Sequence, residues 1–179
     1  MKNSVLTKQT MSVKRKTILT LAAVAASVAL PWLLHAAGHV LHIGTSVGEI
    51  FLPMHIFVMA AGFVLGPAYG AVVGIASPVL SFMITSMPTS LMLPFMIIEL
   101  CAYGFFAGAL RNMRFNSVLK VGAVQLLGRL VKAVAILTAI GFFNSPLQAK
   151  IIYTSVIMGL PGIALQLLIV PFIVKKINE

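Results

Sequence analysis

An all-α polytopic membrane protein of six transmembrane helices, both termini cytoplasmic, is the fold the sequence predicts, and three observations predict it. Hydrophobic residues make up 60% of the chain and charged residues 9%, with a mean hydropathy of +1.06. A soluble domain of 179 residues could not bury that much apolar surface, so lipid must solvate most of the chain. The apolar residues fall into six runs near spanning length, broken by Pro, Gly and charge. The basic residues cluster on alternate connections.

The chain reads as a single membrane domain over 1–179, opening with a basic cytoplasmic stretch at 1–16. The first predicted helix, Thr17–Ala37, follows Lys14, Arg15 and Lys16. A basic stretch before an apolar run also begins a secretory signal, but removing this one leaves five spans and inverts the charge bias. The second and third predicted helices, Phe51–Leu65 and Tyr69–Thr85, are short for a span of about 20 residues. They are tilted, or joined by a tight turn at Gly66-Pro67-Ala68, where Pro67 disfavours a continuous helix. Leu91–Leu110, Val118–Phe143 and Ile151–Val174 complete the six.

A cytoplasmic N-terminus places 66–68, 111–117 and the C-terminus inside, and 38–50, 86–90 and 144–150 outside. Ten of the thirteen Lys and Arg residues then lie inside, Lys150 lies outside, and Arg129 and Lys132 are intramembrane. An odd number of spans breaks this agreement. The net charge of +10 is therefore that of a membrane protein holding its basic loops in the cytoplasm, and no basic face interleaved with aromatics indicates nucleic acid. The single cysteine, Cys101, excludes an intramolecular disulfide and reads as a small packing residue.

Gly62/Gly66 and Gly70/Gly74 form two small-xxx-small pairs. Helices in lipid associate through close backbone approach at such residues, so the pairs are expected to pack the second and third helices together. Ser77 and Ser81, one turn apart beside Pro78, read as helix-bend packing.

The strongest chemical signal lies in the fourth and fifth predicted helices. Glu99 and Arg129 each stand about eleven residues, roughly 16 Å, from the cytoplasmic helix ends, and are expected to pair. Gln125, Arg129 and Lys132 share a face by their i, i+4, i+7 spacing. Two cations and one carboxylate then lie at similar depth. Either Lys132 snorkels outward, or an anionic or strongly polar ligand supplies the missing charge. His55, at the outer end of the second helix beside Pro53, either faces an aqueous pocket or is satisfied by backbone at the interface. His35, His39 and His42 follow the same i, i+4, i+7 spacing, which resembles a metal-ligand arrangement; Gly38 and the interfacial position favour a histidine-rich cap, so no metal is expected.

The stretch "FLPMHIFVMAAGFVLGPAYGAVVGIASPVLSFMITSMP" (Phe51 to Pro88), followed by "PFMIIELCAYGFFAGAL" (Pro94 to Leu110), resembles the substrate-binding S components of energy-coupling factor (ECF) transporters for micronutrients. Over the last two helices the resemblance rests on size and topology. It implies a multi-pass protein of the bacterial cell membrane with a vitamin-sized site opening outward. It implies a lid over 38–50, carrying His39, His42 and Glu49. It also implies docking onto a transmembrane coupling subunit and two ATPases. The alanine-xxx-alanine face that such proteins present to the coupling subunit maps to Ala22/Ala26, with Ala25/Ala29 as the neighbouring register. The chain has no G-x-x-x-x-G-K-[ST] sequence, so energy is expected from partners.

Nickel and cobalt members carry a histidine immediately after the initiator methionine, and this chain has Lys2 there. The cation excess at Arg129 and Lys132 favours a small carboxylate vitamin, with pantothenate the first choice. His55, Glu99, Tyr103 and Gln125 complete the expected substrate site. A vitamin B6 form, a thiamine precursor or another neutral heterocycle is the alternative, since His55, Glu99 and Tyr103 also suit a neutral polar ring. Outside the family, a small channel-like protein is the competing class. An enzyme is not expected, nor any cofactor: the chain has no aspartate and no H-E-x-x-H, and its only acids are Glu49, Glu99 and Glu179.

Overall fold

The structure, a computed structural model, describes residues 11–40, 42, 50–143 and 145–178. Among these residues there are seven helices: α1 (Val13–Val40), α2 (Pro53–Leu65), α3 (Pro67–Thr85), α4 (Leu93–Leu110), α5 (Ser117–Phe143), α6 (Lys150–Met158) and α7 (Leu160–Asn178). Pro53, Pro67 and Pro94 sit in first turns, where a missing N–H breaks no intrahelical bond. Gly66 joins α2 to α3 at φ 106°, a backbone conformation open to glycine, and its N–H bonds the Gly62 carbonyl at 2.9 Å.

α1, α3, α4 and α5 are long and apolar enough to cross a membrane. The single sixth helix expected over Ile151–Val174 is instead two helices, bent by 54° at Gly159, and together they make a fifth candidate span. Gly159 is a poor helix former, and Pro161 lacks an N–H and disfavours helical geometry at the preceding residue. α2, with 13 residues, is about 20 Å long against a hydrocarbon core of about 30 Å. It occupies the centre of the bundle, packed by α1, α3, α4 and α7, and most of its side chains are buried.

The glycines bring α2 and α3 together as expected, a Cβ on Gly70 lying 2.6 Å from Gly62 Cα, and they seat a third helix as well. Gly62 and Gly70 both face the Gly104 carbonyl, Gly74 faces the Leu100 carbonyl, and Gly108 faces the Gly66–Pro67 backbone. The two small-xxx-small pairs of α2 and α3 therefore seat α4, whose own Gly104/Gly108 pair answers them. Between α1 and α3 the Ser27 and Ser77 hydroxyls meet in a buried contact, and Ser77 donates to the Val73 carbonyl one turn back.

A side chain at Gly104 would collide with the Gly70 backbone, which cannot rotate away. Gly104→Val is expected to destabilise the bundle by about 1–3 kcal/mol or more, the range for overpacking. Thermal unfolding in detergent would read this as a lowered Tm, with Gly141→Val, where a Cβ meets nothing within 4 Å, as the neutral control.

Candidate functional site

His55 on α2, Glu99 and Tyr103 on α4, and Gln125, Arg129 and Lys132 on α5 form one buried cluster. It lies at the end of the bundle where α2 and α4 begin: His55 is in the first turn of α2, and Glu99 is the seventh residue of α4. Glu99 is 2% exposed and stands at its centre. Lys132 Nζ lies 2.7 Å from Glu99 Oε2, a charge-assisted hydrogen bond. Arg129 Nη1 lies 3.9 Å from Glu99 Oε1, beyond hydrogen-bond range, and His55 Nε2 lies 4.0 Å from Oε2. Lys132 thus turns inward to the carboxylate rather than snorkelling, and it is Lys132, not Arg129, that holds Glu99 closely.

This leaves Arg129 with unused capacity. Its Nε and Nη2 are buried with no hydrogen-bond partner among the described residues, and the side chain is 14% exposed. The cluster sets two basic side chains, Arg129 and Lys132, against one carboxylate. Burying unpaired guanidinium donors is costly, so an acceptor at this place would be strongly favoured.

Tyr103 is fully buried. Its ring meets the His55 ring edge-on at 5.1 Å between centroids, and Gly128 leaves the space it occupies on α5. The Tyr103 hydroxyl stands 3.4 Å from both Glu99 Oε1 and the Gln125 carbonyl and donates to one at a time. Gln125 Nε2 donates to Gln166 Oε1 at 2.8 Å, and Gln166 Nε2 donates to the Leu52 carbonyl at 3.3 Å. Gln166, on α7 and fully buried, is absent from the residues expected from sequence. Its signal was a lone amide in an apolar run, which needs a partner at that depth.

A cavity of about 250 Å³ opens beside the cluster. Glu99, Arg129, Lys132 and Ser155 line it together with Leu126, Leu130, Ala133, Ile136, Ile152 and Val156, and the wall it exposes is almost wholly apolar. His55, Tyr103 and Gln125 do not line it; they stand behind the charged residues as support. Ser155, on α6, is a second residue that sequence reasoning missed.

The remaining expected positions are scattered. Of the lid over 38–50, residues 41 and 43–49, Glu49 among them, lie outside the described residues, as does the His39 side chain. His42 is exposed at φ 57°. Of the N-terminal stretch, 1–10 are likewise outside. On α1, Ala22, Ala25 and Ala29 are exposed and Ala26 is half-buried, so they form an open small-residue face. Ala25 and Ala29 also border an apolar groove against α3 with Trp32 and Leu80.

A family model described as "ECF transporter, substrate-specific component" matches residues 16–174. The chain belongs to this family. No curated protein and no solved structure shows a significant match to it. As an ECF substrate-specific component, it is a multi-pass membrane protein that binds a micronutrient and associates with an ECF module. The matched region spans α1 to most of α7 and so contains the whole charged cluster.

Proposed function

We propose that this S component captures a small carboxylate vitamin in the Arg129 cavity, with pantothenate the first candidate. The observation that carries the reading is the pair of buried Arg129 donors, without a partner among the described residues, in a net positive cluster that borders the cavity. A carboxylate accepting from Nε and Nη2 would satisfy both donors at once in the fork geometry that arginine favours. Glu99 holds Lys132 in place, so the charge excess is presented at a fixed point instead of relaxing toward water. His55, Tyr103 and Gln125 keep Glu99 and α5 in register. Ser155 carries the one hydroxyl among the lining residues, and the aliphatic part of the wall suits the branched methyl groups at one end of pantothenate.

The charge distribution favours a cytoplasmic N-terminus and six crossings of a bacterial cell membrane, with α2 as a short central pass. The site then lies in the outer half, beneath the 38–50 segment acting as a lid. The exposed face of Ala22, Ala25, Ala26 and Ala29 suits close approach by the transmembrane coupling subunit, which works with two ATPase subunits. The chain itself performs no chemistry and takes no cofactor: it binds, docks and releases inward when the complex reorients.

Mass spectrometry of small molecules released from the protein purified without its partners tests this reading. A stoichiometric carboxylate vitamin is the expected result. A neutral vitamin would keep the family and remove Arg129 from ligand recognition, while no ligand and ion current through liposomes containing the protein would replace the binder by a channel.

A further inference from the structure

α6 lines the cavity through Ile152, Ser155 and Val156, yet none of its residues is buried, and it touches α7 only sparsely. Ile151 and Ile152 pack, partly buried, on the cluster of Phe95, Ile136 and Leu147; a helix held by so few side chains is among the less stabilised elements of a fold. Its junction with α7 is closely fitted by contrast. Gly159, buried at the 54° break, has no room for a side chain: a Cβ there would lie 2.9 Å from Leu52 Cδ1 and 3.6 Å from Arg129 Nη2. Gly162, one turn on, faces the carbonyls of Ile50 and Phe51. Leu52 adopts φ 47°, ψ 48°, a left-handed conformation that costs a non-glycine residue roughly 1 kcal/mol. Its carbonyl is held from two sides, by the His55 N–H at 3.2 Å and by Gln166 Nε2 at 3.3 Å. Gln166 is in turn fixed by Gln125, one turn from Arg129 on α5.

We propose that α6 is a movable wall of the Arg129 cavity, hinged at Gly159, and that the Leu52 side chain, anchored through its carbonyl by Gln166, is the wedge that sets its resting angle. The unpaired Arg129 Nη2 beside the same glycine means that an anion bound there sits at the hinge, so occupancy and wall position are coupled. Leu52 and Gln166 are positioning residues: neither lines the cavity. The hinge itself stands on the geometry alone; its consequence for a ligand rests on the binding reading above.

Hydrogen exchange of the full chain in detergent, without ligand, tests the hinge. Leu52→Ala removes the wedge, keeps the left-handed backbone cost and leaves the Gln125–Gln166 pair untouched; exchange over 150–158 is expected to accelerate at least tenfold while α3 and α4 keep wild-type rates. Leu52→Met, which retains a long apolar side chain, is expected to stay near wild type, a rescue that a merely local disturbance of the backbone would not show. Gln166→Met is expected to reproduce the acceleration at 52–56 as well as at 150–158. Unchanged exchange over 150–158 in Leu52→Ala, or acceleration spread evenly through the bundle, would overturn the proposal. With pantothenate as the probe, Leu52→Ala is expected to raise the dissociation rate at least tenfold, whereas Arg129→Ala is expected to weaken binding at least about 30-fold with α6 exchange unaltered. Absence of pantothenate binding in the wild-type chain counts against the ligand, and the exchange result still decides the hinge.

Discussion

Arg129→Ala is expected to weaken binding of a carboxylate vitamin by about 2–5 kcal/mol, a loss of at least about 30-fold, measured by calorimetric titration. The size follows from the environment. The guanidinium is 14% exposed, and two of its nitrogens have no acceptor among the described residues, so the carboxylate it would bind is withdrawn from water. Arg129→Lys is expected to recover only part of the affinity, because an ammonium is a point charge and cannot present two parallel donors. The fold is expected to survive both changes with a nearly unaltered Tm: Glu99 keeps Lys132 at 2.7 Å, so no buried charge is stranded. A large affinity loss without a stability loss separates a ligand contact from a structural ion pair.

Glu99→Gln is expected to behave in the opposite way. Glu99 is the carboxylate at the centre of the cluster, 2% exposed, with Lys132, Arg129 and His55 within 4.0 Å. Its neutralisation leaves two cations facing each other in a low-dielectric interior, and breaking a buried pair by removing one partner costs about 3–5 kcal/mol. Thermal unfolding in detergent should therefore show a marked fall in Tm. The double variant Glu99→Gln/Lys132→Met restores the wild-type count of one excess cation, and most of the lost stability is expected to return. If Glu99→Gln alone is neutral, the cluster does not carry the electrostatic balance assigned to it.

Much of this arrangement was legible in the sequence because lipid makes polar residues expensive. A carboxylate and two cations in apolar runs had to meet, and the i, i+4, i+7 spacing of Gln125, Arg129 and Lys132 put them on one face. Which cation Glu99 takes was not legible. Arg129 and Lys132 are three residues apart on one face, and helical rise gives depth but not reach; the longer turn of the lysine stem toward α4 is a packing outcome. Glycine spacing identified the close approach of α2 and α3, yet not that α4 joins it. Gly62 and Gly70 fit Gly104 of α4, whose own Gly104/Gly108 spacing was in plain view in "AYGFFAGAL".

The break at Gly159 was similarly visible as "GLPG", and an apolar run of spanning length masked it. Hydropathy averages over a window and is blind to the local backbone cost of Gly159 and Pro161. Ser155 and Gln166 were missed for a related reason: each is a single polar residue in a long apolar stretch, and only the fold shows Ser155 on the cavity wall and Gln166 between α5 and Leu52.

Calorimetric titration of the purified full chain with pantothenate and with its neutral alcohol analogue, panthenol, decides whether the buried guanidinium donors select an acid. Stoichiometric binding of pantothenate, with panthenol weaker by at least about 30-fold, is the predicted result. Equal affinity for the two, or binding of panthenol alone, would contradict it.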